Sequence, residues 1–181
     1  MNKEKKYNKL KLKLSKWILF RQLKNSDRYP KTCSLEKAST VGVTFVATSP
    51  KQLDEVKNIV KELNSKGLKT ITLGYIPEKK PNEYYLSEKT FNMFYDKELD
   101  MLFRPKNSAA IEFQETEFDI LIDLGSNSYY PMLMLLTKSK AHFKVGKFNK
   151  NSLFDLMIDV KGSNDLKYYF DQVVHYLSKF N

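Results

Sequence analysis

Two groups of residues in this sequence have the types and the spacing to do chemistry. The first is Lys6, Lys9, Lys13, Lys16, Arg21 and Lys24, with Trp17 among them. Gaps of three and four residues gather Lys6, Lys9, Lys13 and Lys16 on one side of a helix. Clustered cations neutralise phosphates, and Trp17, Phe20 or Tyr7 would supply rings on which bases stack. The same composition suits an anionic membrane surface, or a helix face that is simply solvated. The second group is Ser49, Asp123, Ser126 and Asn127. Each follows an apolar run and precedes a helical pattern, which places it at the carboxyl end of a strand, where open α/β sheets hold ligands. Helix N-termini there present N–H groups and a positive dipole end to phosphate or carboxylate. Asp123 would serve as a general base, or as a ribose or metal contact. Asp159, Ser163 and Asn164 occupy the corresponding place in a later unit. Ser and Asn at such positions also cap their own helices, and a strand-end carboxylate is often structural.

Charge separates the two groups. Residues 1–31 hold eleven Lys/Arg against Glu4 and Asp27, a balance of +9, whereas residues 32–181 balance at +1. The basic character therefore belongs to the leader, and this is the clearest partner signal in the chain. The hydrophobic content of 41% and aromatic content of 13% exclude a disordered chain. No apolar run reaches the roughly 20 residues of a membrane span. Lysines interrupt Leu10, Leu12 and Leu14, so no signal-peptide core is expected, and the expected compartment is cytoplasmic. Cys33 is the one cysteine, which excludes a disulfide framework and reads as an inert thiol. His142 and His175 lack a second His or Cys at ligand spacing, so no zinc site is expected. The turn Thr48-Ser49-Pro50 is not a glycine-rich phosphate loop, and Ser49, Ser126 and Ser163 lack the nucleophile-elbow pattern. No catalytic residue and no cofactor is assigned.

The elements that must position these residues are legible in part. Residues 3–24 read as a helix with Tyr7, Leu10, Leu14, Trp17 and Ile18 on one apolar face and Leu12, Leu19 and Leu23 on a smaller one. Asn25 to Thr32, with Pro30, reads as a linker. Val41–Ala47 is a strand. Ser49, Pro50 and Gln52 open a helix with a capping box, and Gly67 ends it before the strand Leu68–Ile76. Residues 77–117 read as a surface excursion with short helices around Phe91, Met93, Phe94, Leu99, Leu102 and Phe103, and with a short strand over Ala109–Phe113. Strands follow at Phe118–Leu124, Ala141–Val145 and Phe154–Val160, with helices from Ser128 and from Asn164 to Phe180. The phrase Phe118-Asp119-Ile120-Leu121-Ile122-Asp123 returns as Phe154-Asp155-Leu156-Met157-Ile158-Asp159. Lys147–Ser152 is short for a helical crossover, so the strands around it are expected to be antiparallel, one of them at an edge.

This pattern predicts an α/β fold: a single Rossmann-like three-layer domain over residues 38–181, with a mostly parallel sheet, preceded by a basic N-terminal helix and linker over residues 1–31. From Val41 onward the chain resembles an uncharacterised family of small Rossmann-like α/β proteins from Bacteroidota. The segments Phe118–Leu124, Ser139–Gly146 and Asp155–Val160 carry that resemblance. A weaker one, over about 30 residues, is to the N-terminal half of heptosyltransferase-type glycosyltransferases, and it rests on the Asp-containing strand and on Phe143-Lys144-Val145-Gly146. It implies a Rossmann-like fold. Those enzymes bind their nucleotide-sugar in a second domain, for which this chain has no room. The leading expectation is a non-catalytic binding protein whose basic helix docks on an anionic partner, RNA or a ribonucleoprotein first. The alternatives are a small enzyme or enzyme remnant that binds a nucleotide or sugar phosphate at the strand ends, and a peripheral protein on an anionic membrane.

Overall fold

The alternating strands and helices fold into one sheet of six parallel strands covered on both faces. The structure is a computed structural model and describes residues 9–24, 28–125, 129–149, 153–160, 163 and 165–180, with the side chains of 9–11, 24 and 86 left undescribed. Helix α1 is Lys9–Lys24, followed by β1 Thr40–Val46, α2 Pro50–Ser65, β2 Lys69–Ile76, α3 Glu83–Leu86 and β3 Asn92–Tyr95. Then come α4 Ser108–Glu115, β4 Ile120–Asp123, α5 Tyr130–Lys138, β5 Phe143–Lys147, β6 Leu156–Ile158 and α6 Leu166–Leu177. The strand order is β3-β2-β1-β4-β5-β6, that of a doubly wound Rossmann-type sheet.

Side-chain alternation sorts the core into two layers. Val41, Val43 and Phe45 of β1 meet Leu53, Val56, Ile59 and Leu63 of α2 and Phe170, Val173 and Leu177 of α6. On the other face Leu73 and Tyr75 of β2 and Leu121 of β4 meet Ala110 and Phe113 of α4 and Met132 to Leu136 of α5. Helix α1 lies outside α5 on this second face, with Leu19 3% exposed. Its packed side therefore joins Leu19 and Leu23 of the smaller strip with Ile18 of the larger one, while Leu14 and Trp17 stay outside.

The repeated Phe-Asp phrase does the same physical work twice. The Phe118 ring lies on Gly42 of β1, where a Cβ would sit 2.8 Å from it, and the Phe154 ring lies on Gly146 of β5, where a Cβ would sit 2.3 Å from it. Asp119 Oδ2 accepts from the N–H groups of Ser39 and Thr40 (both 2.9 Å), and Asp155 Oδ2 accepts from the Lys144 N–H (2.8 Å). Each copy docks its strand on a neighbour through a ring on glycine and a carboxylate on backbone donors.

Three expectations are corrected. Strands β5 and β6 are parallel, with Val145 opposite Leu156 and Lys147 opposite Ile158. A short connection suffices because they share only three residue pairs, so the chain retraces only to the level of Lys144, where the Asp155 N–H donates to the Lys144 carbonyl (2.8 Å). Ala109–Phe113 is helical: Asn107 Oδ1 accepts from the Ala110 N–H (2.8 Å) and starts α4. Asn92–Tyr95 is an edge strand rather than part of a short helix, paired with Leu73 to Ile76. At α2, Ser49 Oγ accepts from the Gln52 N–H (3.2 Å) as expected, but Gln52 Oε1 reaches back to the N–H and hydroxyl of Thr48.

Candidate functional site

The sheet reverses its winding between β1 and β4, and the carboxyl ends of these strands form the crevice where such folds hold ligands. Here polar side chains from three strands and α6 close on one another. Asp123 is fully buried. Its Oδ1 accepts from the Thr44 hydroxyl (2.8 Å) and its Oδ2 from the Gly125 N–H (3.3 Å). Gly125 takes φ +107°, which favours glycine and lets the chain turn back on the carboxylate. The Asp123 carbonyl accepts from the buried Tyr169 hydroxyl (3.0 Å). The Lys147 ammonium runs beside Gly125 and lies 5.0 Å from the centre of the Tyr169 ring. Burial pulls the Lys147 pKa below the usual lysine range, against the pull of Asp123, and burial also holds the Tyr169 phenol well above its ordinary value. A buried carboxylate bonded by a hydroxyl and a backbone N–H is held as part of the fold.

The other strand-end residues are placed apart. The Ser49 hydroxyl caps its own helix. Ser126, Asn127 and Asn164 lie outside the described residues. Asp159 is exposed beyond β6, two strands away from Asp123, and Ser163 Oγ accepts from the Asp165 N–H (3.2 Å). No group of three or more His, Cys, Asp or Glu stands ready to hold a metal among the described residues.

Helix α1 presents a different arrangement. Its inner side is fixed by Leu19 and by the fully buried Ser15, whose hydroxyl donates to the Leu102 carbonyl (3.5 Å). Its outer side carries Lys13, Leu14, Lys16, Trp17, Phe20 and Arg21, all exposed. Trp17 is 58% exposed, Phe20 57% and Leu14 50%, and three large apolar side chains exposed on one helix face mark a candidate interaction surface. At 100° per residue, cations and apolar groups alternate across this face instead of segregating. The Arg21 guanidinium stands 5.5 Å from the Trp17 ring, and Lys13 and Lys16 make no ion pair among the described residues. Lys9 and Lys24 lie at the two ends of α1, where their side chains are undescribed, and Lys6 lies outside the described residues. No described helix is long and apolar enough to cross a membrane.

Reading by residue type found Asp123 and the α1 cations. It missed Thr44, Lys147 and Tyr169. The available signals were a lone hydroxyl in an apolar strand, a lysine directly after Gly146, and a tyrosine at a core position of the last helix. A family of unknown function matches residues 11–180 of the chain. Neither the curated proteins nor the solved structures contain a match.

Proposed function

The chain belongs to that family, DUF6913, and we propose that it is a non-catalytic binding protein that docks on RNA or a ribonucleoprotein through the outer face of α1. The observation that supports this most is the exposure of Trp17 and Phe20 between Lys13, Lys16 and Arg21 on a helix whose other side is anchored to the domain. RNA is bound by such a mixture: phosphates take the cations, and unstacked bases take the rings. A membrane-surface helix keeps its apolar groups together on one side, so they enter the lipid as a block. On α1 the exposed apolar groups are interleaved with cations, which favours a partner whose own charge and apolar surface alternate. The +9 balance of residues 1–31 adds long-range attraction to any polyanion.

Trp17 is the single tryptophan of the chain, so its fluorescence reports on this face alone. Adding single-stranded RNA should quench it saturably, and adding phosphatidylserine vesicles at matched charge should leave it unchanged. A blue shift with vesicles and no response to RNA would replace the RNA reading with the membrane one.

A further inference from the structure

At the opposite end of the sheet from the switch-point crevice, residues 28–38 pass under the amino ends of β4 and β5. Arg28 holds them there, donating to the Ala141 and His142 carbonyls (3.2 and 2.9 Å) and pairing with Asp155 (2.6 Å). The Lys31 N–H donates to the His142 carbonyl as well (3.1 Å). Between this strap and the sheet lies a cavity of about 220 Å³ lined by Lys31, Thr32, Cys33, Lys37, Asp119 and His142. We propose that this cavity is a binding site for a small organic anion that carries a hydroxyl group next to its phosphate or carboxylate.

The lining dictates that class. Two lysines bring two positive charges to a space that holds one carboxylate. That carboxylate is half committed. Asp119 Oδ2 takes three donors, the Ser39 N–H, the Thr40 N–H and the Thr40 hydroxyl (3.1 Å), while Asp119 Oδ1 takes none among the described residues. Asp119 lines the cavity, and its second oxygen is an acceptor that a donor on the ligand can use; a hydroxyl beside the anionic group supplies one. His142 can donate or accept at the same wall, and the exposed Glu117, which does not line the cavity, stands 4.0 Å from its Nε2. Lys31 and Lys37 both act on the Cys33 thiol, which places their charges close to the cavity. The thiol is pushed up by burial and by Asp119, so it forms a weakly reactive wall of the cavity. The volume is below the roughly 300–1,000 Å³ of drug-sized pockets and fits a molecule such as a glycerol phosphate.

The two histidines of the chain make the test self-controlled, because His175 lies on α6 and does not line the cavity. Imidazole proton–carbon NMR spectra are recorded on the full chain during titration with glycerol 3-phosphate, glycerate, inorganic phosphate and glycerol at constant ionic strength. The His142 signals should move saturably with glycerol 3-phosphate, glycerate or both, and the His175 signals should stay. Whichever of the two binds identifies the anionic group. Inorganic phosphate should bind about tenfold more weakly than the better of them, the loss of one charge-assisted hydrogen bond. Lys31→Gln and Lys37→Gln should each weaken that binding severalfold, and the ligand should slow alkylation of Cys33, the single thiol, by a similar factor. Equal movement of both histidines, no saturation, or unchanged affinity in both lysine variants would overturn the site. Equal affinity for inorganic phosphate would overturn the role of Asp119 and with it the hydroxylated class.

Discussion

At the carboxyl ends of β1, β4 and β5 the polar side chains turn inward and bond to one another. On α1 the cations and rings turn outward, and the Arg21 guanidinium stands over the Trp17 ring. Both regions drew notice for residue type, and only their surroundings tell them apart. Asp123 is satisfied by Thr44 and Gly125, so a ligand there would have to displace bonds already made. Lys13 and Lys16 would bind a partner without giving up an ion pair among the described residues, and Trp17 would give up only a solvent-exposed contact with Arg21. Availability of donors, acceptors and rings, rather than their chemical type, separates a candidate interface from a candidate scaffold.

The largest effect should come from the inward region. Asp123→Ala should cost about 3 kcal/mol of stability in urea unfolding, because it leaves Thr44, Gly125 and Lys147 around an uncompensated hole. A shift typical of surface positions would place Asp123 at a ligand and reverse the comparison. Gly146→Ala should cost about 2 kcal/mol, since its methyl would collide with the Phe154 ring that seats β6 on β5. An unchanged urea midpoint would mean that the edge strand is not held this way.

The interior lysines give a pH signature that the outer ones lack. Lys144 is buried, with Nζ donating to the Leu136 carbonyl (2.7 Å), and burial, with Arg28 nearby, pulls its pKa down to about 7. Its folded-state value lies below the unfolded one of about 10.4, so between them the unfolded chain binds more protons. Stability should therefore rise as pH climbs from 7 toward 9.5, by up to about 1 kcal/mol per unit from this group. Lys147 acts in the same direction, so the contribution of Lys144 is the difference between the native chain and Lys144→Met. Parallel pH profiles for the two proteins would remove Lys144 as the source. The smallest stability effect belongs to the outer face. The triple replacement Lys13→Gln, Lys16→Gln, Arg21→Gln should leave the urea midpoint where it was, since Gln keeps helix propensity and no described ion pair is lost.

The sequence made the β1-α2-β2 unit legible down to the Ser49 cap, because strand alternation, Pro50 and Gly67 all agree there. Residues 77–117 were opaque for physical reasons. Strand β3 is a four-residue edge strand whose burial follows no simple alternation. Ala109–Phe113 is too short for periodicity to tell strand from helix, and the deciding group, Asn107, lies before it. The direction of β6 depended on how far the chain retraces, which no local pattern encodes. The strand-end residues were found by position, but the Thr44 hydroxyl that bonds Asp123 belongs to a strand 79 residues earlier, beyond any local spacing rule. The outer face of α1 was visible as charge, while which apolar residues pack was decided by α5.

The central claim is that the outer face of α1 binds RNA through cations and rings together. The direct test is the salt dependence of RNA affinity, read by Trp17 fluorescence, in the native chain and in the triple Gln variant. Each phosphate neutralised on a single strand contributes about 0.7 to the slope of log affinity against log salt, so losing three contacts should flatten it by about 2. Phe20→Ala should instead weaken binding at every salt concentration and leave the slope alone, because stacking releases no counterions. A triple variant whose slope and affinity equal those of the native chain would contradict the account, since α1 would then not be where RNA binds.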